Sequence, residues 1–226
     1  KKIPHKTTIH GYDRVDNYHW MRLTDKQKLA KNPDAQTQKV LDNLIAENTY
    51  KEARLKHTEQ FQEKLFDEIV GRIKKDDESV PYLHNGYWYY TRFEKDKEYP
   101  IYCRKKESLD NAEEIMINVN ELAEGYDYFS LTGLSVSPNN RLLAFSIDTL
   151  SRRIYTIKIK NLETGEILSD EIISTEGGTT WASDNQTFFY TTKNEVTLLS
   201  EHIDRHKLGT SQLKDVRVYT ENDNSF

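Results

Sequence analysis

A repeat constrains this chain more than any other feature. Its clearest copy is LSVSPNNRLLAFSI, Leu134 to Ile147. A strand-like run ends in the polar turn Ser137-Pro138-Asn139-Asn140, and a second strand, Leu142 to Ser146, follows. The same shape returns in TWASDNQTFFYTT, Thr180 to Thr192. Val136 matches Trp181, Asn140 matches Asn185 and Phe145 matches Tyr190, all at an offset of 45 residues. A looser copy precedes both, where Tyr90 takes the place of Phe145 at an offset of 55. One turn-linked strand group every ~40–50 residues is the mark of a β-propeller.

Three such groups divide the second part of the chain into blades at about 80–122, 129–174 and 177–221. In the first, Asn85-Gly86 is a hairpin-turn dipeptide before the strand Tyr87–Phe93, with further strands at Tyr99–Lys105 and Ile115–Val119. The second supplies four strands: Leu134–Val136, Leu142–Phe145, Ile154–Ile159 and Ile167–Ile172. Tyr155, Ile157 and Ile159 share one face at period 2. Leu162–Glu166 is a tight turn in which Gly165 can take positive φ. The third repeats the plan with Thr180-Trp181, Phe188–Tyr190, Leu198–Leu208 and Val216–Tyr219. Propellers close with typically 4–8 blades. Three leave an open ring, so the expected fold is mainly β, an incomplete propeller, and the chain is expected to be a piece of a longer protein.

Residues 1–75 read differently from the propeller part, 76–226. The first 24 show period neither 2 nor 3.6 and predict an irregular but ordered arm. Its aromatics Tyr12, Tyr18 and Trp20 have no local core to join, so they are expected to pack elsewhere. Asn32-Pro33 predicts a helix start, with Asn32 as N-cap and Pro33 at the first helical position. Neither Pro nor Gly follows until Gly71. Val40, Leu41, Leu44 and Ile45 make one apolar face, and Phe61, Leu65, Ile69 and Ile73 another. Two helices are expected, at 33–55 and 58–70, with Thr58 capping the second and Gly71 closing it.

The chain has no G-x-S-x-G nucleophile elbow, no phosphate-binding glycine loop and no dinucleotide fingerprint. His202 and His206 have a metal-like H-x3-H spacing but lack the zincin glutamate, since Ile203 follows the first. They are read as ordinary strand residues, and neither metal nor cofactor is expected. Asp76-Asp77-Glu78 reads as a solvated acidic turn. The Tyr87-Trp88-Tyr89-Tyr90 cluster reads as blade core rather than a stacking platform. Cys103 is the lone cysteine and reads as packed, so there is no intrachain disulfide. Asn185-Gln186-Thr187 is an isolated glycosylation sequon.

A net charge of −5 and the lack of a basic stripe argue against a nucleic-acid surface. The longest apolar runs are far short of the ~20 residues needed to cross a bilayer. No signal peptide is visible, although the chain opens on Lys1 rather than Met, as after removal of a leader. A cytoplasmic location is expected, with the periplasm as the alternative.

Five strings occur in order along the chain: HGYDRVDNYHWMRL (10–23), AENTYKEARL (46–55), GRIKKDDESVPY (71–82), NGYWYYTRFEKDKEYPIYCRK (85–105) and LGTSQLKDVRVYTENDNSF (208–226). On these strings the chain resembles the N-terminal part of the prolyl oligopeptidase family of serine peptidases, and within it the oligopeptidase B (protease II) branch. The resemblance implies a seven-bladed propeller over an α/β-hydrolase domain, which carries a Ser–Asp–His triad and follows the propeller in sequence. It implies that the arm and helices, Tyr18 and Trp20 among them, pack on that hydrolase domain. It also implies short peptide substrates cut after Lys or Arg, with the propeller excluding folded proteins. No catalytic residue is expected in this chain, and these residues alone are expected to be inactive. The competing reading is a non-catalytic propeller scaffold that binds protein partners. A carbohydrate-processing propeller would need paired carboxylates, and no pair here supports it.

Overall fold

Residues 1–223 are described by the computed structural model. The last three residues of the fifth matching string, 224–226, lie outside them. The chain divides into two compact units, Lys1–Ile73 and Lys74–Phe226.

The first unit opens with an antiparallel hairpin of β1 (His5–Ile9) and β2 (Tyr12–Asp16). The irregular arm expected from sequence is therefore a strand pair. Its turn is His10-Gly11, both at positive φ (52° and 80°), the conformation that a two-residue hairpin loop requires. Histidine in place of Asn or Asp hides that signal. A 3-10 turn, His19–Met21, and a short helix, α1 (Asp25–Lys28), follow. Thr24 and Gln27 form a reciprocal capping box at the start of α1.

The long helix α2 spans Ala35–Leu55. Its cap is Asp34, not Asn32: Asp34 Oδ1 accepts the Thr37 amide at 2.7 Å. Pro33 thus precedes the cap. The carboxylate satisfies a free amide and also sits at the positive end of the helix dipole. A 3-10 turn, Lys56–Thr58, leads into α3 (Glu59–Gly71) without a break. Thr58 is therefore no cap. It is helical (φ −98°, ψ −4°), and its hydroxyl donates back to Leu55 O at 2.7 Å. Gly71 is the last helical residue rather than a left-handed terminator, because the chain leaves through a right-handed turn at Arg72. Among the helical apolar residues, Val40 is buried while Ile45, Phe61 and Ile69 remain exposed, as does Ile73 just beyond α3.

The second unit contains two sheets. The first has the order β3 (Tyr82–His84), β4 (Tyr87–Arg92), β5 (Ile101–Lys106), β6 (Glu113–Asn118), all antiparallel. A short helix, α4 (Val119–Leu122), leads away from it. The second runs in chain order through β7 (Ser130–Val136), β8 (Leu142–Asp148), β9 (Tyr155–Asn161), β10 (Ile167–Trp181), β11 (Thr187–Lys193), β12 (Ser200–Lys207) and β13 (Val216–Thr220). It holds two blades that share one strand. Sequence reading places separate strands at 167–172 and at 180–181; the structure joins them as β10. Its first half pairs with β9 and its second half with β11. Thr175 is paired to both neighbours, opposite Tyr155 and Thr192, and register shifts around it bend the strand from one blade to the next.

The repeat positions form the core. Phe145, Tyr190 and Tyr90 are all buried, as are Ile157 and Ile159 on the face read from their spacing. One cluster gathers Tyr89, Met116, Ile117, Val119, Phe129 and Phe145; another gathers Ala144, Ile157, Ile159, Ile172, Phe188 and Tyr190. Both sheets are open, ending at β3, β6, β7 and β13. The architecture is mainly β, an incomplete propeller of three blades.

Candidate functional surfaces

The first strand of the second blade meets the first strand of the third at two glycines. Gly133 (φ +67°) on β7 lies so close to β10 that an added Cβ would fall 1.7 Å from Gly177 O. Ser146 Oγ donates to that same carbonyl at 2.7 Å. Trp181 Nε1 donates to Ser135 O at 3.0 Å. Glycine at 133 is therefore a requirement of close strand approach. The turn signals in the sequence do not reveal this, because the two glycines lie in strands.

The first and second blades flank a cleft of about 390 Å³, lined by Tyr82, Tyr89, Tyr90, Leu134 and Val136 among others. A second cleft, about 470 Å³, lies against β8 and β9 and mixes charges of both signs, including Asp148, Arg152, Lys158 and Glu171.

The residues singled out for chemistry fall into structural roles. His206 is completely buried on β12, and each ring nitrogen faces a carboxylate: Nδ1 lies 2.7 Å from Asp215 Oδ1 and Nε2 lies 3.0 Å from Asp170 Oδ1. Tyr190 donates its hydroxyl to Asp215 Oδ2 at 2.8 Å, and the Gly209 amide donates to Asp170 at 2.6 Å. Burial, reinforced by Asp215, pushes the Tyr190 phenol up. Both ring nitrogens of His206 face Asp side chains rather than His202. His202 Nδ1 is itself buried without a partner. Among the described residues no group of three or more His, Cys, Asp or Glu side chains is placed to hold a metal ion. Sequence reading missed this network because its members lie on four separate segments.

Cys103 on β5 has no solvent exposure. Burial pushes its thiol up to about 12, and the nearby Glu113 charge adds to the effect. Glu113 receives a fork from Arg92 (Nη2 to Oε1, 3.0 Å) and a hydroxyl from Tyr90 (2.5 Å). Burial alone would raise this carboxyl, but the Arg92 and Tyr90 hydrogen bonds outweigh it and hold it low. Tyr89 and Tyr90 are buried, whereas Trp88 donates its indole N–H to Glu107 O at 3.2 Å. The acidic run at 76–78 is exposed, yet it also extends the blade edge: Phe93 N donates to Asp77 O at 2.8 Å, and Glu78 bridges to Arg92.

In the first unit Tyr18 is 52% exposed. Trp20 is half-buried; its indole donates to Lys1 O at 3.0 Å and the Lys39 ammonium lies 5.0 Å from its ring. Trp20 therefore has local partners that sequence reading did not supply. The hairpin before it leaves Ile9, Tyr12 and Val15 uncovered within the unit. These surfaces can bind and shape. His206 is sealed from solvent between aspartates, and neither of its nitrogens meets a hydroxyl or thiol nucleophile.

The comparisons agree with this architecture. The family described as prolyl oligopeptidase, N-terminal beta-propeller domain, matches residues 1–226. Dipeptidyl aminopeptidase BI of Pseudoxanthomonas mexicana is 40% identical, and the alignment covers 100% of this chain and 32% of that protein. Protease 2 of Moraxella lacunata is 32% identical over the same shares. Oligopeptidase B from Leishmania major superposes with a TM-score of 0.82 at 33% identity, over 98% of this chain and 32% of that one. The chain thus spans about a third of the length of these relatives. Its three blades, its helices and its matched residues place it in one family: the chain belongs to the prolyl oligopeptidase family, to whose N-terminal propeller region it corresponds.

Proposed function

We propose that this chain is the propeller part of a serine endopeptidase that cleaves short peptides after Lys or Arg. The carrying observation is the end-to-end match to Protease 2 and oligopeptidase B, with three blades and the preceding helices in the same order. In this reading the blades restrict which peptides reach a Ser–His–Asp site in a downstream α/β-hydrolase domain, and chemistry is acyl transfer. The exposed apolar residues of the hairpin and of α2 and α3, together with Tyr18 and Trp20, would pack on that domain. Burial against a partner suits an apolar surface of this extent. A binding scaffold without catalysis is the competing reading, and a missing downstream G-x-S-x-G would favour it.

A second catalytic reading has its own support. The relative that is 40% identical is named a dipeptidyl aminopeptidase, which implies release of dipeptides from a free N-terminus. The full-length protein should be assayed on matched peptides with Arg, Lys or Ala before the scissile bond, each with a free or an acetylated N-terminus. Cleavage after Arg and Lys irrespective of acetylation supports the endopeptidase. Cleavage only two residues from a free amine supports the dipeptidyl enzyme. No cleavage of any peptide sinks both. The 226-residue chain alone should hydrolyse none of them.

A further inference from the structure

The three blades carry an asparagine at the same place in the turn between their first and second strands: Asn85, Asn140 and Asn185. All three are left-handed, with φ of 48°, 63° and 60°. Asparagine is among the few residues other than glycine that visit this region readily, but glycine would do so at lower cost. Backbone geometry therefore does not explain why the position is asparagine three times. The side chains do.

Asn85 Nδ2 donates to Pro138 O at 2.8 Å and to Asn140 Oδ1 at 3.1 Å, and Asn140 Nδ2 donates back to Asn85 O at 3.1 Å. One blade later, Asn185 Oδ1 accepts the Asn139 amide at 2.7 Å. Each later asparagine thus reaches the turn of the blade before it, across 46 to 55 residues of chain. Arg104 Nη1 on β5 adds a bond to Asn140 O at 2.8 Å.

We propose that Asn85, Asn140 and Asn185 form a hydrogen-bonded rung that registers successive blades, each junction holding specific backbone groups of one turn against the asparagine of its neighbour. The Asn85–Asn140 junction needs amide side chains that both donate and accept, whereas the Asn185 junction needs only the acceptor oxygen. Glycine keeps the backbone but breaks either junction.

Amide hydrogen exchange in the full-length protein tests this. Asn185→Gly relieves any left-handed strain while removing the acceptor for the Asn139 amide. That amide, 46 residues away, should then exchange about tenfold faster, the loss expected for one hydrogen bond. Asn185→Asp keeps the acceptor oxygen and should restore slow exchange. The Asn140 amide, bonded within its own turn to Ser137 O, should not change in either variant. An Asn139 amide unmoved in Asn185→Gly, or equally fast in both variants, overturns the proposal. Should Asn185→Gly fail to fold, Asn140→Gly repeats the test one blade earlier. Its reporter is the Glu107 amide, which donates to Gly86 O beside Asn85. Faster exchange there supports the rung, and an unchanged rate overturns it.

Discussion

His206 shows how far the role of a side chain can lie from its spacing in the sequence. Two histidines four apart suggest a pair, but the fold separates their tasks, and His206 answers Asp170 and Asp215 instead. Removing it would leave two buried Asp side chains without their common hydrogen-bond partner, a loss of about 1–3 kcal/mol for each group left unsatisfied. His206→Ala should therefore lower the urea midpoint steeply, whereas Tyr190→Phe, which deletes one hydroxyl on the rim of the network, should cost about 1 kcal/mol. Cys103 makes a simpler case. Sealed from solvent, with its thiol pushed up to about 12, it should not react with a thiol-specific chromogenic reagent in the native protein and should titrate fully in denaturant. Asp204 gives the acid response. Burial raises its carboxyl, but hydrogen bonds from Arg217 and Thr192 overcome that and hold it below the ordinary 3.8. A depressed native value means stabilisation that is fully present above the unfolded value and lost as pH falls through the native one. Arg217 is half exposed, so the pair is screened; Arg217→Ala should cost about 1 kcal/mol at pH 7 and progressively less as the pH falls through the depressed Asp204 value in urea titrations. The aromatic repeat positions were legible in sequence because burial imposes a residue type. These polar partners were not, because nothing in a sequence of 226 residues pairs Asp170 with His206 before the strands are laid side by side.

At the scale of elements, periodicity carried most of the reading and failed where geometry is set by one or two residues. The hairpin of β1 and β2 went unread because its left-handed turn uses histidine. The start of α2 shifted by two residues because the side chain that reaches the third helical amide belongs to Asp34, not Asn32. Two separately read strands proved to be one, since pairing continues through Thr175 on both sides. Glycines make the contrast measurable. Gly133 faces Gly177 O at a distance no Cβ tolerates, whereas Gly165 (φ +78°) has open space around it. Gly133→Ala should cost about 3 kcal/mol or more through backbone displacement. Gly165→Ala should cost about 1 kcal/mol from left-handed strain alone. Thermal melts of the two variants would read the difference directly, and equal shifts would refute the close-approach account.

For the whole molecule, the repeat gave the architecture, but the family came from the strings that flank it. An asparagine-bearing turn and a buried aromatic suit many propellers; the arm, the helices and the strand sequences together suit one family. The strand β10 has a consequence for how such a protein can be divided. It belongs to two blades at once, so no boundary between them is free of strand pairing. The first sheet, by contrast, is joined to the second through the exposed stretch 124–128, with no strand in common. A nick at Gly125 should leave two pieces that reassociate into a working whole. A nick at Gly178 should ruin both neighbouring blades together. Split-fragment complementation would find the seams of this protein where strands end, not where the sequence repeat begins.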